Sequence, residues 1–264
     1  MIAAILKGAL AIAVCVPLAI YLLQDRLLFH PKRLDDSHRA EVKTRHPAVA
    51  EVFLDVEGIR LHAWHVRGPA GAPLLVYFGG NAEEVSWMVG EAAATPGVSW
   101  LLTDYRGYGL SEGSPGEAEL VSDALRWFDR FAPDAKRVIA FGRSLGSGVA
   151  VQLAAARPVE SLILVTPYDS ITSVAKRYYP YLPVELLLKN RFDSITRAPG
   201  LKQPLLCLIA GSDGVIPPEH AERLFEAWGG PKRKLVLAEA GHNSISAHPQ
   251  FWPSIREFLS QKVN

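Results

Sequence analysis

The sequence predicts an α/β domain, with a mostly parallel sheet of about eight strands, helices on both faces, a short cap insertion and an N-terminal hydrophobic helix. Three observations predict it. Short runs rich in Val, Leu and Ile alternate with amphipathic stretches of helical length from residue 74 onward, and strand–helix alternation builds a parallel sheet buried on both faces. An apolar fraction of 49% over 264 residues supplies one sizeable core plus a short appendage. Residues able to do chemistry cluster just after the apolar runs, where open α/β sheets bind their ligands.

In chain order, residues 1–23 are apolar except for Lys7, and roughly 20 apolar residues span a bilayer. Val14-Cys15-Val16-Pro17 offers no small-x-small cleavage site, and Val14 is too large to precede a lipidated cysteine. The expectation is an uncleaved membrane anchor over residues 1–24. Arg26, Lys32, Arg33, Arg39 and Lys43 outnumber Lys7, which places the remainder on the cytoplasmic side. Residues 25–47 read as a polar connector, with 24–31 docking back on the domain, which is expected over 48–264.

The alternation of 49–56 and 59–66 about Glu57-Gly58 predicts an antiparallel hairpin. Strands are then expected at 74–78, 100–103, 138–141, 161–165, 205–210 and 234–238. Helices are expected at 82–94, 117–131, 149–156, 218–228 and 249–263. Residues 166–199 form an irregular insertion at the cap position. It holds Tyr178-Tyr179-Pro180-Tyr181-Leu182 and Leu186-Leu187-Leu188, which either line an acyl pocket or close a small core of their own. Lys176, Arg177, Lys189 and Arg191 flank it, to meet lipid headgroups or water.

A net charge of +1 with no basic stripe gives no case for nucleic acid. Two distant cysteines in apolar runs argue against a disulfide framework. No Cys/His cluster has metal-ligand spacing and no glycine-rich phosphate loop is present, so neither a metal nor a cofactor is expected. Oligomeric state is not legible.

Chemistry converges on three strand ends. Val138–Phe141 runs into Gly142-Arg143-Ser144-Leu145-Gly146 and then into a helical stretch, a strand, sharp turn and helix that expose a serine above the sheet. Asp213 follows the 205–210 strand and His242 follows the 234–238 strand. A serine hydroxyl needs an adjacent base, for which His242 is the candidate, and a carboxylate behind the imidazole to hold its tautomer, for which Asp213 is chosen. Asp213-Gly214 is also an ordinary turn sequence, and Asp169, after the 161–165 strand, remains an alternative acid that chain order does not exclude. Acyl transfer further needs oxyanion donors; the Leu145 N–H and the Asn81 N–H in Gly79-Gly80-Asn81-Ala82 are assigned. His62, His65 and His220 are read as structural.

These motifs, together with Asp104-Tyr105-Arg106-Gly107-Tyr108-Gly109-Leu110-Ser111-Glu112-Gly113 and Gly241-His242-Asn243, resemble those of the α/β-hydrolase superfamily, in particular the Bem46-like, ABHD13/ABHD17-like group of membrane-anchored hydrolases. The similarity runs from Gln24 to the C-terminus. The resemblance implies the α/β-hydrolase fold, with the Asp104–Ser111 segment shaping the floor of the site. Gly79 stands where the family usually has His. The expected function is a serine hydrolase cleaving lipophilic carboxylic esters or thioesters through an acyl-enzyme. A serine peptidase of the same fold and a non-catalytic membrane-tethered scaffold are the alternatives. The expected partners are a small-molecule or lipid-like acyl substrate and a membrane, met through the N-terminal helix.

Overall fold

The computed structural model describes the backbone of residues 2–261 and the side chains of residues 15–261. The chain opens with α1 (Ile2–Leu28) and α2 (Asp36–Arg45). β1 (Ala50–Val56) and β2 (Ile59–Val66) follow as an antiparallel hairpin. At its turn Glu57 and Gly58 have φ of 55° and 80°, the left-handed pair that a two-residue type I′ loop requires. Next come β3 (Leu74–Phe78), α3 (Val89–Ala93), β4 (Ser99–Thr103), α4 (Glu117–Phe131), β5 (Val138–Arg143) and α5 (Leu145–Ala156). The chain ends with β6 (Ser161–Val165), α6 (Ile171–Tyr178), α7 (Val184–Leu187), β7 (Leu205–Ala210), α8 (Pro218–Ala227), β8 (Lys232–Leu237) and α9 (Phe251–Ser260).

Among the described residues eight strands form one sheet in the order β1-β2-β4-β3-β5-β6-β7-β8. β2 runs antiparallel to β1 and β4, and the pairs from β4–β3 to β7–β8 are parallel. This is the α/β-hydrolase fold. The central strands are buried on both faces, so alternate side chains feed two cores. Leu74, Val76, Val138, Ala140, Leu205 and Cys207 pack with α4, α5 and α8. Leu75, Tyr77, Ile139, Phe141, Leu206 and Leu208 pack with α3 and α9 and with Val42 of α2.

Some expectations are corrected. The 25–47 connector contains α2, whose Asp35 cap accepts a hydrogen bond from the His38 N–H; with Val42 as its buried residue, the helix carries almost no apolar period. The helix expected over 82–94 starts as a 3-10 turn, Val85–Met88, and is α-helical over Val89–Ala93. The Glu83 side chain folds back onto the loop before it, and Glu84 accepts from the Ser86 N–H. α5 begins directly after Ser144 rather than at 149. β8 starts at Lys232 because this edge strand pairs on one side only, leaving basic side chains free to face water. The insertion, expected to be irregular, holds α6 and α7.

Among the described residues no helix is long and apolar enough to cross a membrane. The anchor expected over 1–24 falls largely on residues 1–14, outside those whose side chains are described. From residue 15 on, α1 exposes Leu18, Leu22 and Leu27.

Candidate active site

β5 delivers Ser144 through a sharp turn with a positive φ at the serine. Ser144 has φ 50° and ψ −117°, a sparsely populated conformation for a residue with a Cβ, held by its surroundings. Its N–H donates to Val165 O, and Ser147 donates to the Ser144 carbonyl from both N–H and Oγ. Glycines flank it because the backbone closes in. A Cβ on Gly142 would lie 2.3 Å from Gly146 O, and one on Gly146 would lie 2.0 Å from Phe78 O. Gly146→Ala is accordingly expected to destabilise the fold by about 3 kcal/mol, a severe overpacking penalty, read by urea denaturation.

The residues predicted from three strand ends meet. Ser144 Oγ lies 2.9 Å from His242 Nε2, and His242 Nδ1 lies 2.7 Å from Asp213 Oδ2. The network assigns the tautomer: Nδ1–H donates to the carboxylate, and Nε2 accepts from the serine hydroxyl. The other Asp213 oxygen accepts from the Val215 and Ile216 N–H groups, both at 2.8 Å. Tyr178 of α6 places its hydroxyl 3.0 Å from the carbonyls of Gly214 and Val215, bracing the same loop.

The alternative acid is elsewhere. Asp169 Oδ1 is 2.8 Å from His220 Nδ1, and Oδ2 accepts from Arg223 Nε at 2.7 Å. Burial alone would raise the Asp169 pKa, but these bonds outweigh it and hold the carboxyl below its ordinary range. Both of its oxygens are engaged on α8, and it does not meet His242. The arrangement follows from strand order: β7, which carries Asp213, is next to β8, whereas β6 lies one strand further away. The pairing had a sequence signal, since His220 and Arg223 share a helix face at i, i+3.

The loop after β3 lies against the nucleophile; a Cβ on Gly80 would sit 3.6 Å from Ser144 Cβ. Leu145 heads α5, so its N–H has no carbonyl four residues back inside the helix. The Asn81 side chain is bonded at both ends, with Oδ1 accepting from the His30 N–H and the Tyr108 hydroxyl and Nδ2 donating to Leu28 O. Tyr105 donates to Gly79 O at 2.8 Å, and Arg106 pairs with Asp123, away from the site. A side chain at 79 would meet Val85 and Glu83 at 3.1 to 3.2 Å, so Gly79 leaves room for Glu83 to do the packing there.

Glu83 and Arg143 escaped the sequence reading. The buried Glu83 carboxylate accepts from Tyr77 Oη, Trp87 Nε1, Gly80 N–H and Arg143 Nη1 at 2.6 to 2.9 Å. It thereby ties the loop after β3 to the residue preceding Ser144. Desolvation would lower the Arg143 pKa, but the Glu83 charge and hydrogen bond together with Tyr77 outweigh it and raise it. Glu83→Gln leaves that guanidinium without its counter-charge and is expected to cost about 3 kcal/mol of stability, read by denaturant titration. A Glu directly after the Asn-Ala pair was the available signal.

The cavity over Ser144 has a volume of about 430 Å³ and is lined by His30, Lys32, Asn81, Trp87, Val215 and Asn243, among others. No residue of 166–199 lines it, so of the two readings of the cap the one in which it lines the acyl pocket is corrected. Tyr181 and Leu186 instead face outward, 97% and 81% exposed, because α6 braces the Asp213 loop and the segment after α7 bonds to Gln24 of α1. Among the described residues no group of three or more His, Cys, Asp or Glu has metal-site geometry.

No family model matches the chain. An uncharacterized protein of Mycobacterium tuberculosis (strain CDC 1551) is 37% identical over 250 residues, covering 90% of this chain and 88% of that one. The α/β-hydrolase domain-containing protein WAV2 of Arabidopsis thaliana is 27% identical over 234 residues, covering 78% and 76%. Among solved structures, an esterase of Pyrococcus furiosus superposes with a TM-score of 0.67 at 19% identity, over 89% of this chain and all of that one.

Proposed function

This chain belongs to the α/β-hydrolase superfamily, and on that premise we propose that it is a serine hydrolase of carboxylic esters or thioesters. The observation that carries the reading is the continuous path Ser144 Oγ, His242 Nε2, His242 Nδ1, Asp213 Oδ2, with links of 2.9 and 2.7 Å from three strand ends. Ser144 Oγ attacks the acyl carbon while its proton passes to His242 Nε2. Asp213 keeps the imidazole oriented and stabilises the imidazolium. The oxyanion is held by the N–H groups of Leu145 and Asn81. Collapse of the intermediate expels the alcohol or thiol, which takes the proton from His242 Nε2. Water, deprotonated by the same nitrogen, then releases the acid and restores Ser144.

The acyl chain is proposed to lie along Trp87 and Val215, 40% and 52% exposed beside the cavity, which favours lipophilic substrates. The apolar side chains that α1 exposes support a further reading, that this helix tethers the domain to a membrane, as residues 1–24 suggest. p-Nitrophenyl esters of graded chain length test the substrate class. kcat/KM is expected to rise from acetate to a medium-chain ester. Turnover of none of them would leave the scaffold reading in its place.

A further inference from the structure

The segment leaving α1 does more than connect. Gln24, only 3% exposed, donates from Nε2 to Leu187 O and accepts the Lys189 N–H. Asp25 accepts from Asn190 Nδ2 at 2.6 Å. Phe29 is buried in the core shared with α4 and α5. Further along, Gly109 donates its N–H to Lys32 O, and Leu34 donates back to Gly109 O. Residues 24–34 are therefore fixed to the cap at one end and to the Asp104–Ser111 loop at the other.

Between these attachments the segment meets the site. The Leu28 carbonyl and the His30 N–H take the two ends of the Asn81 amide, and His30 and Lys32 line the cavity. The Tyr108 hydroxyl, 2.9 Å from Asn81 Oδ1, closes the clasp. The Ala82 N–H also donates to Asn81 Oδ1, at 3.1 Å, and Ala82 has φ 56°. A loop opening with two glycines has little stiffness of its own; Glu83 and Tyr105 hold its glycines, and the Asn81 side chain holds the residue that follows them.

We propose that the 28–32 segment and Tyr108 position the oxyanion loop through the Asn81 amide, so that the stretch following the N-terminal helix is a working wall of the active site. The proposal rests on the serine hydrolase reading. Asn81 side-chain atoms and Tyr108 are positioning groups: they touch neither nucleophile nor acyl carbon, and they act on where the Asn81 N–H points. A misdirected oxyanion donor weakens binding of the transition state and leaves ground-state binding nearly intact.

The test uses the full chain, Asn81→Ala and Tyr108→Phe, a short p-nitrophenyl ester, and phosphonate labelling of wild type as the reference. Asn81→Ala is expected to lower kcat about 30-fold and Tyr108→Phe about 5-fold, each with KM within about threefold of wild type, a fraction of the effect of deleting an oxyanion donor. Unchanged kcat in both, a rise in KM alone, or a lower melting temperature with kcat intact would overturn the proposal. If Asn81→Ala does not fold, Tyr108→Phe decides, because it removes a single hydroxyl from a buried ring. Wild type that neither labels nor turns over ester removes the serine hydrolase reading and the clasp with it. Wild type that labels, with both variants fully active, removes the clasp alone.

Discussion

Ser144→Ala is expected to lower kcat on an activated ester by about 100,000-fold, equivalent to about 7 kcal/mol of transition-state stabilisation. The residue is 8% exposed and makes its side-chain hydrogen bond to His242 Nε2. Removing Oγ deletes the nucleophile and leaves the base facing the cavity. The fold has no need of that oxygen, since the turn is held by the Ser144 N–H on Val165 O and by the Ser144 carbonyl. Relief of the hydroxyl's confinement leaves the melting temperature within about 3 °C of wild type. Initial rates and a thermal melt on one preparation check both halves. Retained ester turnover in Ser144→Ala would remove the serine from the mechanism.

The second large effect separates two aspartates. Asp213→Asn replaces the acceptor for His242 Nδ1–H by an amide that can present its own N–H. This favours the wrong imidazole tautomer, and kcat is expected to fall about 10,000-fold at neutral pH. Asp169→Asn leaves that histidine untouched, because its partners are His220 and Arg223; kcat is expected to stay within about threefold. Its effect appears in stability instead. The Asp169 carboxyl is held below its ordinary pKa in the fold, so its contribution is present above the unfolded carboxylate value and fades as pH falls through the folded one. The Asp169→Asn variant should therefore differ most from wild type in melting temperature near neutral pH and converge with it in acid. A reversed result, with activity lost in Asp169→Asn and kept in Asp213→Asn, would exchange their roles.

Much of the fold was legible because the central strands are buried on both faces and read as uninterrupted apolar runs. β3, β6 and β7 match their expected bounds for that reason, and β2 matches through the alternation of its hairpin. What escaped was held by single polar side chains rather than by periodicity. α2 is carried by an Asp cap and one buried Val, and the turn before α3 by Glu84. The candidate site divides in the same way. Ser144, Asp213 and His242 could be read from the motifs at three strand ends, whereas setting the rival Asp169 aside required the strand order. Glu83, Arg143 and the Asn81 clasp stayed hidden because each joins segments tens of residues apart, as Leu28 and His30 do with Asn81. The apolar residues of 178–188 were visible, but their outward direction is set by Tyr178 on the Asp213 loop and by Gln24 on the segment after α7.

The central claim is that Ser144 is a nucleophile activated by His242, and a fluorophosphonate tests it most directly. Wild type should gain the mass of one phosphonyl group, located by peptide mass spectrometry on Ser144, and Ser144→Ala should gain none. An unlabelled wild type, or a label that persists in Ser144→Ala, would contradict the account.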